Sequence, residues 1–152
     1  NLNAPGQVVI AGSKAAVERA IEELKAAGAK RAVPLPVSVP SHCALMRPAA
    51  ERLADYLAQV EIQAPKIPVL HNVDVQVSAD AAAVRERLVR QLYSPVRWVE
   101  TVQAMAAQGV GRIIECGPGK VLVGLNKRIA KEADAQAVYD PATLEAALKE
   151  EA

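Results

Sequence analysis

Short β-type runs alternate with amphipathic helical patterns along this chain, and Gly or Pro stands at most of the junctions between them. That alternation restricts the fold more than any other feature. Strands separated by helices can bury both kinds of apolar surface only in an α/β architecture, with a mostly parallel sheet covered by helices. Gln7 to Ala11 reads as a strand closed by Gly12, and Ser13 is placed to cap a helix in which Val17, Ile21 and Leu24 recur at helical spacing until Gly28. Arg31 to Val39 returns to extended character, which completes a β-α-β unit. Leu45, Ala49, Leu53, Tyr56, Leu57 and Val60 then mark one face of a helix, with Pro48 in its first turn. Ile67 to Leu70 reads as a buried strand. Asp80 caps a helix carrying Val84, Leu88 and Leu92 that breaks before Pro95. A helix from about Val96 to Gln108, a strand from Arg112 to Cys116, a helix with Val121, Leu122, Leu125 and Ile129 inward, a strand from Ala135 to Tyr139 and a helix from Pro141 to about Glu150 complete the pattern.

The chain has 152 residues, 51% hydrophobic and 23% charged, which suits a folded domain with its own core. Eighteen Lys and Arg stand against 17 Asp and Glu without a basic block, and the aromatics are one Trp, three Tyr and no Phe. Neither an electrostatic footprint nor a stacking surface for nucleic acid can be built from that set. No apolar run approaches the roughly 18 residues of a membrane span, so no membrane partner is expected and the expected compartment is the cytoplasm. Cys43 and Cys116 have no metal-type spacing and read as free thiols, and no metal is expected. The opening Asn1-Leu2-Asn3-Ala4-Pro5-Gly6 lacks an initiator Met and leads straight into a strand, which gives the expectation that the chain is a fragment.

The residue best placed for chemistry is His42, between an extended run ending at Ser41 and the helical pattern that follows. A general base needs an oriented ring with one nitrogen free, and the sequence offers an orienting group. The carbonyl of Gln91 would accept the N–H four residues on, but that residue is Pro95, which has none. A bare oxygen at the negative end of a helix can accept an imidazole Nδ1–H and stabilise the cation formed when Nε2 takes a proton. Binding of water to that carbonyl is the ordinary alternative. No nucleophile accompanies the histidine. Ser41 and Cys43 are its chain neighbours, poorly placed for proton transfer, and no Gly-x-Ser-x-Gly turn occurs. Cys43 reads more simply as a small buried thiol than as a nucleophile. Gly117-Pro118-Gly119-Lys120 lacks the spacing of a phosphate loop, because Val121 follows the lysine. His71 and Asp74, without a third ligand, read as polar residues of an exposed loop.

Four segments in order, Asn1 to Gly12, Leu35 to His42, Arg90 to Trp98 and Glu115 to Leu122, resemble the second half of the bacterial malonyl-CoA:acyl carrier protein transacylases, the stand-alone acyltransferases of type II fatty acid synthesis. The resemblance covers essentially the whole chain. It implies transfer of malonyl from coenzyme A to the phosphopantetheine thiol of acyl carrier protein through an acyl-serine, with the serine in a missing N-terminal half and no cofactor beyond the coenzyme A thioester itself. It places His42 at the catalytic histidine and Gln91 at the residue whose carbonyl orients it. Asn1 and Asn3 match an Asn-x-Asn facing the substrate cleft, and Arg31 matches a basic position near its mouth. The implied fold is an α/β-hydrolase-like large subdomain, here residues 38–152, with part of an inserted ferredoxin-like small subdomain, residues 1–37. The serine turn, the arginine that would clamp the malonyl carboxylate and the first oxyanion segment are absent from these residues. A thioester hydrolase and a non-catalytic fragment that docks acyl carrier protein are the alternatives.

Overall fold

The computed structural model describes residues 1–149. Ten elements follow one another: β1 (Leu2–Ala4), β2 (Gln7–Val8), α1 (Lys14–Ala26), α2 (Arg47–Ala58), α3 (Ala81–Arg90), α4 (Trp98–Ala107), β3 (Arg112–Cys116), α5 (Val121–Ile129), β4 (Asp134–Val138) and α6 (Pro141–Lys149), with a single 3-10 turn at Ala44–Met46 before α2. The mixed α/β content matches the expectation from the sequence. The helix ends follow local chemistry. Gly28 closes α1 at φ +90°, with the Ala29 N–H returning to the Leu24 carbonyl. Asp80 caps α3 by accepting the Ala83 N–H at 2.8 Å, and Asp140 caps α6 through the Thr143 N–H at 2.8 Å. Ser13 stands at the N-cap of α1, but its side chain accepts no bond there.

Contacts divide the chain into two units, the first made of Asn1 with Val9–Val96, the second of Leu2–Val8 with the residues from Arg97 onward. In the second unit β3 and β4 pair in parallel, in register from Arg112↔Asp134 to Cys116↔Val138, flanked by α5 and α6. Arg112 reaches across this pair to the Gln136 side chain at 3.1 Å and the Ala147 carbonyl at 3.0 Å. Most of the buried apolar side chains gather here: Ala4, Val102, Leu125, Ala135 and Ala147. Trp98 donates its indole N–H to the fully buried Asn126 at 3.0 Å, which joins α4 to α5 with a satisfied polar contact.

In the first unit α2 packs on α3, with the start of α2 beside the end of α3. Arg85 closes the other end, donating to the carbonyls of Leu57 and Val60 at 3.0 and 2.8 Å. The Leu57 carbonyl also takes the Val60 N–H at 3.3 Å, and Val60 lies just beyond the helix end. The buried stripe of α2 is narrower than its sequence pattern predicts: Ala50 is buried and Leu53 and Leu57 half-buried, whereas Leu45, Tyr56 and Val60 are exposed.

Two predicted strands are absent among the described residues. Arg31 to Val39 is extended coil, and Ile67 to Leu70 carries only the isolated bridge Leu70↔Val77, with Ile67 77% exposed. Prolines at 34, 36 and 68 remove ladder donors from both runs, and a strand exists only where a neighbour pairs with it. The β-α-β unit therefore does not form. β2 instead turns back antiparallel on β1, with Leu2↔Val8 in register. Among the described residues, the parallel pairing expected of a mostly parallel sheet is confined to β3–β4.

Candidate active site

Helix α3 ends at Gln91, whose backbone is still helical, and Pro95 follows four residues later. Its carbonyl is left without an N–H in its own segment. His42 supplies the partner: Nδ1 lies 2.8 Å from the Gln91 oxygen. The next carbonyl, Leu92, accepts the main-chain N–H of His42 at 3.0 Å. One residue is thus held twice, ring and backbone, by two successive carbonyls at a helix C-terminus. Arg47 stacks on the Tyr93 ring, 4.4 Å from its centroid, and extends the same seam by one residue.

His42 reaches this position with φ +62°, in the left-handed region that non-glycine residues seldom enter. Such a backbone persists where its surroundings over-determine it, and it is enriched at working sites. With Nδ1 donating to a carbonyl, the ring presents Nε2 with its lone pair unengaged, the form of a general base. His42 is half-buried. The Gln91 oxygen carries no full charge, yet by accepting from Nδ1 it fixes which ring nitrogen bears the hydrogen.

The other predicted residues stand as follows. Cys43 donates its thiol to the Pro40 carbonyl at 3.1 Å and has no bond to His42, which leaves the thiol without a base. Ser41 is exposed. Asn1 is half-buried, and its carbonyl accepts the Val9 N–H at 3.0 Å. Asn3 is half-buried on β1. Arg31 is exposed in coil and bonds to neither His42 nor Gln91. At Gly117-Pro118-Gly119-Lys120 the helix N-terminus is already occupied: the Glu115 carboxylate accepts the Val123 N–H at 2.8 Å. An internal carboxylate takes the place an anion would fill. A surface hollow of about 420 Å³ is lined by Gly109–Gly111 and Ile129–Ala133 and holds none of the candidate residues. Among the described residues no group of three or more His, Cys, Asp or Glu side chains converges as a metal site.

His71 and Asp74 correct the sequence expectation of an exposed loop. His71 is 7% exposed, and its Nε2 lies 2.8 Å from the hydroxyl of Ser78, which is 4% exposed. Arg87 donates to Ser78 Oγ at 3.2 Å and to Asp74 Oδ2 at 2.9 Å, and Arg90 donates to the same carboxylate oxygen at 2.5 Å. Burial, helped by the Arg87 guanidinium, holds His71 below the usual histidine range; Asp74 and Glu86 push back more weakly. Burial raises the Asp74 carboxyl, but the Gln76 N–H and the two guanidiniums more than offset it, so its net direction is down. Ser78, Arg87, Arg90 and the Leu92 carbonyl were not singled out by sequence reasoning. Arg87 and Arg90, three apart in a last helical turn downstream of Asp74, were the available signal.

Residues 1–145 match the family model described as an acyl transferase domain. The chain belongs to that acyl transferase family. This acyl transferase chain is 62% identical over 148 residues to the malonyl CoA-acyl carrier protein transacylase of Salmonella typhimurium, covering 97% of this chain and 48% of that protein. It is 59% identical over 149 residues to the protein of the same name in Escherichia coli K12, covering 98% and 48%. Among solved structures it superposes with a TM-score of 0.96 and 59% identity on one described as a type II polyketide synthase acyl carrier protein in complex with its malonyl-transacylase, covering 99% of this chain and 48% of that one. An acyl carrier protein S-malonyltransferase from Vibrio cholerae gives a TM-score of 0.87 at 60% identity, covering 90% and 44%. The chain spans about half the length of the curated relatives it matches.

Proposed function

We propose that the protein carrying these residues moves malonyl from coenzyme A to the phosphopantetheine thiol of acyl carrier protein, in the cytoplasm, through an acyl-serine that lies outside this chain. The observation that carries the reading is the double hold on His42, Nδ1 on the Gln91 carbonyl at 2.8 Å and N–H on the Leu92 carbonyl at 3.0 Å. His42 Nε2 takes the serine hydroxyl proton as the serine oxygen attacks the thioester carbonyl. The imidazolium, supported by the Gln91 oxygen, returns that proton to the departing coenzyme A thiolate. In the second half the carrier thiol gives its proton to Nε2 and attacks the ester, and the serine oxygen recovers a proton as it leaves. Asn1, Asn3 and Arg31 serve substrate binding in this reading, with residues 1–37 and 38–152 as parts of a ferredoxin-like and an α/β-hydrolase-like subdomain. No cofactor takes part.

The test is malonyl transfer by the complete enzyme, assayed with and without carrier protein. His42→Ala should lower transfer at least ~10³-fold, the scale of a lost general base. Turnover near the parent value in that variant would refute the assignment. Malonyl release to water that is indifferent to carrier protein would replace transferase by hydrolase. The hydrogen-bonded Ser78–His71 pair does not support a hydrolase within this chain, because Ser78 is 4% exposed and cannot meet a substrate.

A further inference from the structure

Gln91 orients His42, so something must orient Gln91. Helix ends fray, and the turns beyond Gln91 are closed on α3 by long bonds of the tighter kind: Leu92 N–H to Val89 at 3.2 Å and Tyr93 N–H to Arg90 at 3.3 Å. The α-helical bond that fixes the Gln91 peptide on its N-terminal side goes to the Arg87 carbonyl, at 3.0 Å. Arg87 and Arg90 therefore frame the residue that matters, and both guanidiniums converge on one oxygen of Asp74, at 2.9 and 2.5 Å.

Asp74 is itself held. Its other oxygen accepts the Gln76 N–H at 3.1 Å, and the loop closes through His71 N–H to the Gln76 carbonyl at 3.1 Å and Val75 N–H to the His71 carbonyl at 2.8 Å. Val75 sits at φ +62°, a conformation that a β-branched residue adopts only under constraint. Ser78, buried between His71 and Arg87, locks the far side of the loop. Val75 and His42 are the only non-glycine residues with positive φ among those described, and both belong to the chain of contacts that ends on the Gln91 carbonyl.

We infer that the part-buried cluster of Asp74, Arg87, Arg90, Ser78 and His71 is the brace that aims the Gln91 carbonyl at His42, which makes Asp74 a positioning residue for the catalytic base. It never meets substrate. It acts by pinning the last turn of α3. The kinetic consequence rests on the acyl-transfer reading, whereas the effect on the ring does not.

Two measurements keep these apart. The chain has two histidines, so ¹⁵N spectra of histidine-labelled protein at alkaline pH resolve both rings. The parent should show His42 as a single Nδ1–H tautomer, and Asp74→Asn should show it as a mixture. In the complete enzyme the same substitution should lower kcat about tenfold, the usual scale for removing a partner behind a ligand or base, with KM for the thioester within twofold. Arg90→Gln, which removes one arm of the brace and leaves Asp74 paired with Arg87, should do the same to a smaller degree and serves where Asp74→Asn fails to fold. An unmixed Nδ1–H tautomer in the folded variants overturns the brace whatever the kinetics show. Mixed tautomers with unchanged kcat would confirm the brace and overturn the acyl-transfer role of His42 instead.

Discussion

At the scale of single residues, the site depends on a hydrogen that is missing. Pro95 has no N–H, so the Gln91 carbonyl is available to His42 at 2.8 Å. Pro95→Ala restores a competing donor four residues along. Malonyl transfer by the complete enzyme should then fall several-fold while the unfolding midpoint holds or rises; unchanged transfer would show that the proline does not set the geometry. This half of the site was legible from residue types alone, because the absence of an N–H is written in the identity of residue 95. The Leu92 carbonyl and the left-handed backbone of His42 were not legible, since both depend on where Pro40 to His42 crosses the end of α3. The same limit applied to His71 and Asp74, because the guanidiniums that hold Asp74 come from Arg87 and Arg90, more than ten residues away.

At the scale of elements, the helices were readable and the strands only in part. Caps, glycine stops and periodicity are local, and all six helices were anticipated close to their observed bounds. Pairing is not local, which is why the runs at 31–39 and 67–70 were misread while Arg112–Cys116, with Asp134–Val138 beside it, was not. Two predictions belong here. Asp80→Ala removes the carboxylate that accepts the Ala83 N–H and should cost ~1 kcal/mol in urea unfolding, whereas Asp80→Ser should recover most of it. The loop carrying His71 should give the fold an acid-sensitive limb. Because burial and Arg87 depress this imidazole, the unfolded chain takes up a proton first as pH falls. The stabilisation is complete above the ordinary histidine value of about 6.5 and is lost as pH drops through it. Asp74, also depressed, adds a loss at lower pH, below about 4. Urea midpoints should therefore decline as pH falls below about 6.5 in the parent and stay flatter in His71→Asn. An equally steep decline in that variant would assign the limb to other groups.

At the scale of the whole molecule, the described residues expose many large apolar side chains, with Val37, Ile67 and Val121 each more than 70% exposed. Scattered exposed apolar residues are ordinary, but this density is not typical of a finished surface. The chain should bind a hydrophobic dye such as ANS in its folded state. Ile67→Thr with Val121→Thr should reduce that binding and leave the unfolding midpoint nearly unchanged, since neither side chain is buried here. A large loss of stability in the double variant would mean that both contribute to a core. None of the described helices is long and apolar enough to cross a membrane.

The attachment of His42 to α3 at two adjacent oxygens has a mechanical consequence. Were the helix to slide or tilt by a fraction of an ångström during turnover, imidazole and anchor would travel as one piece, with the Nδ1 proton still shared with the same peptide. Tautomer and tilt of the ring are thereby insulated from thermal breathing elsewhere, and motion registers as a change in distance from the base to whatever it serves.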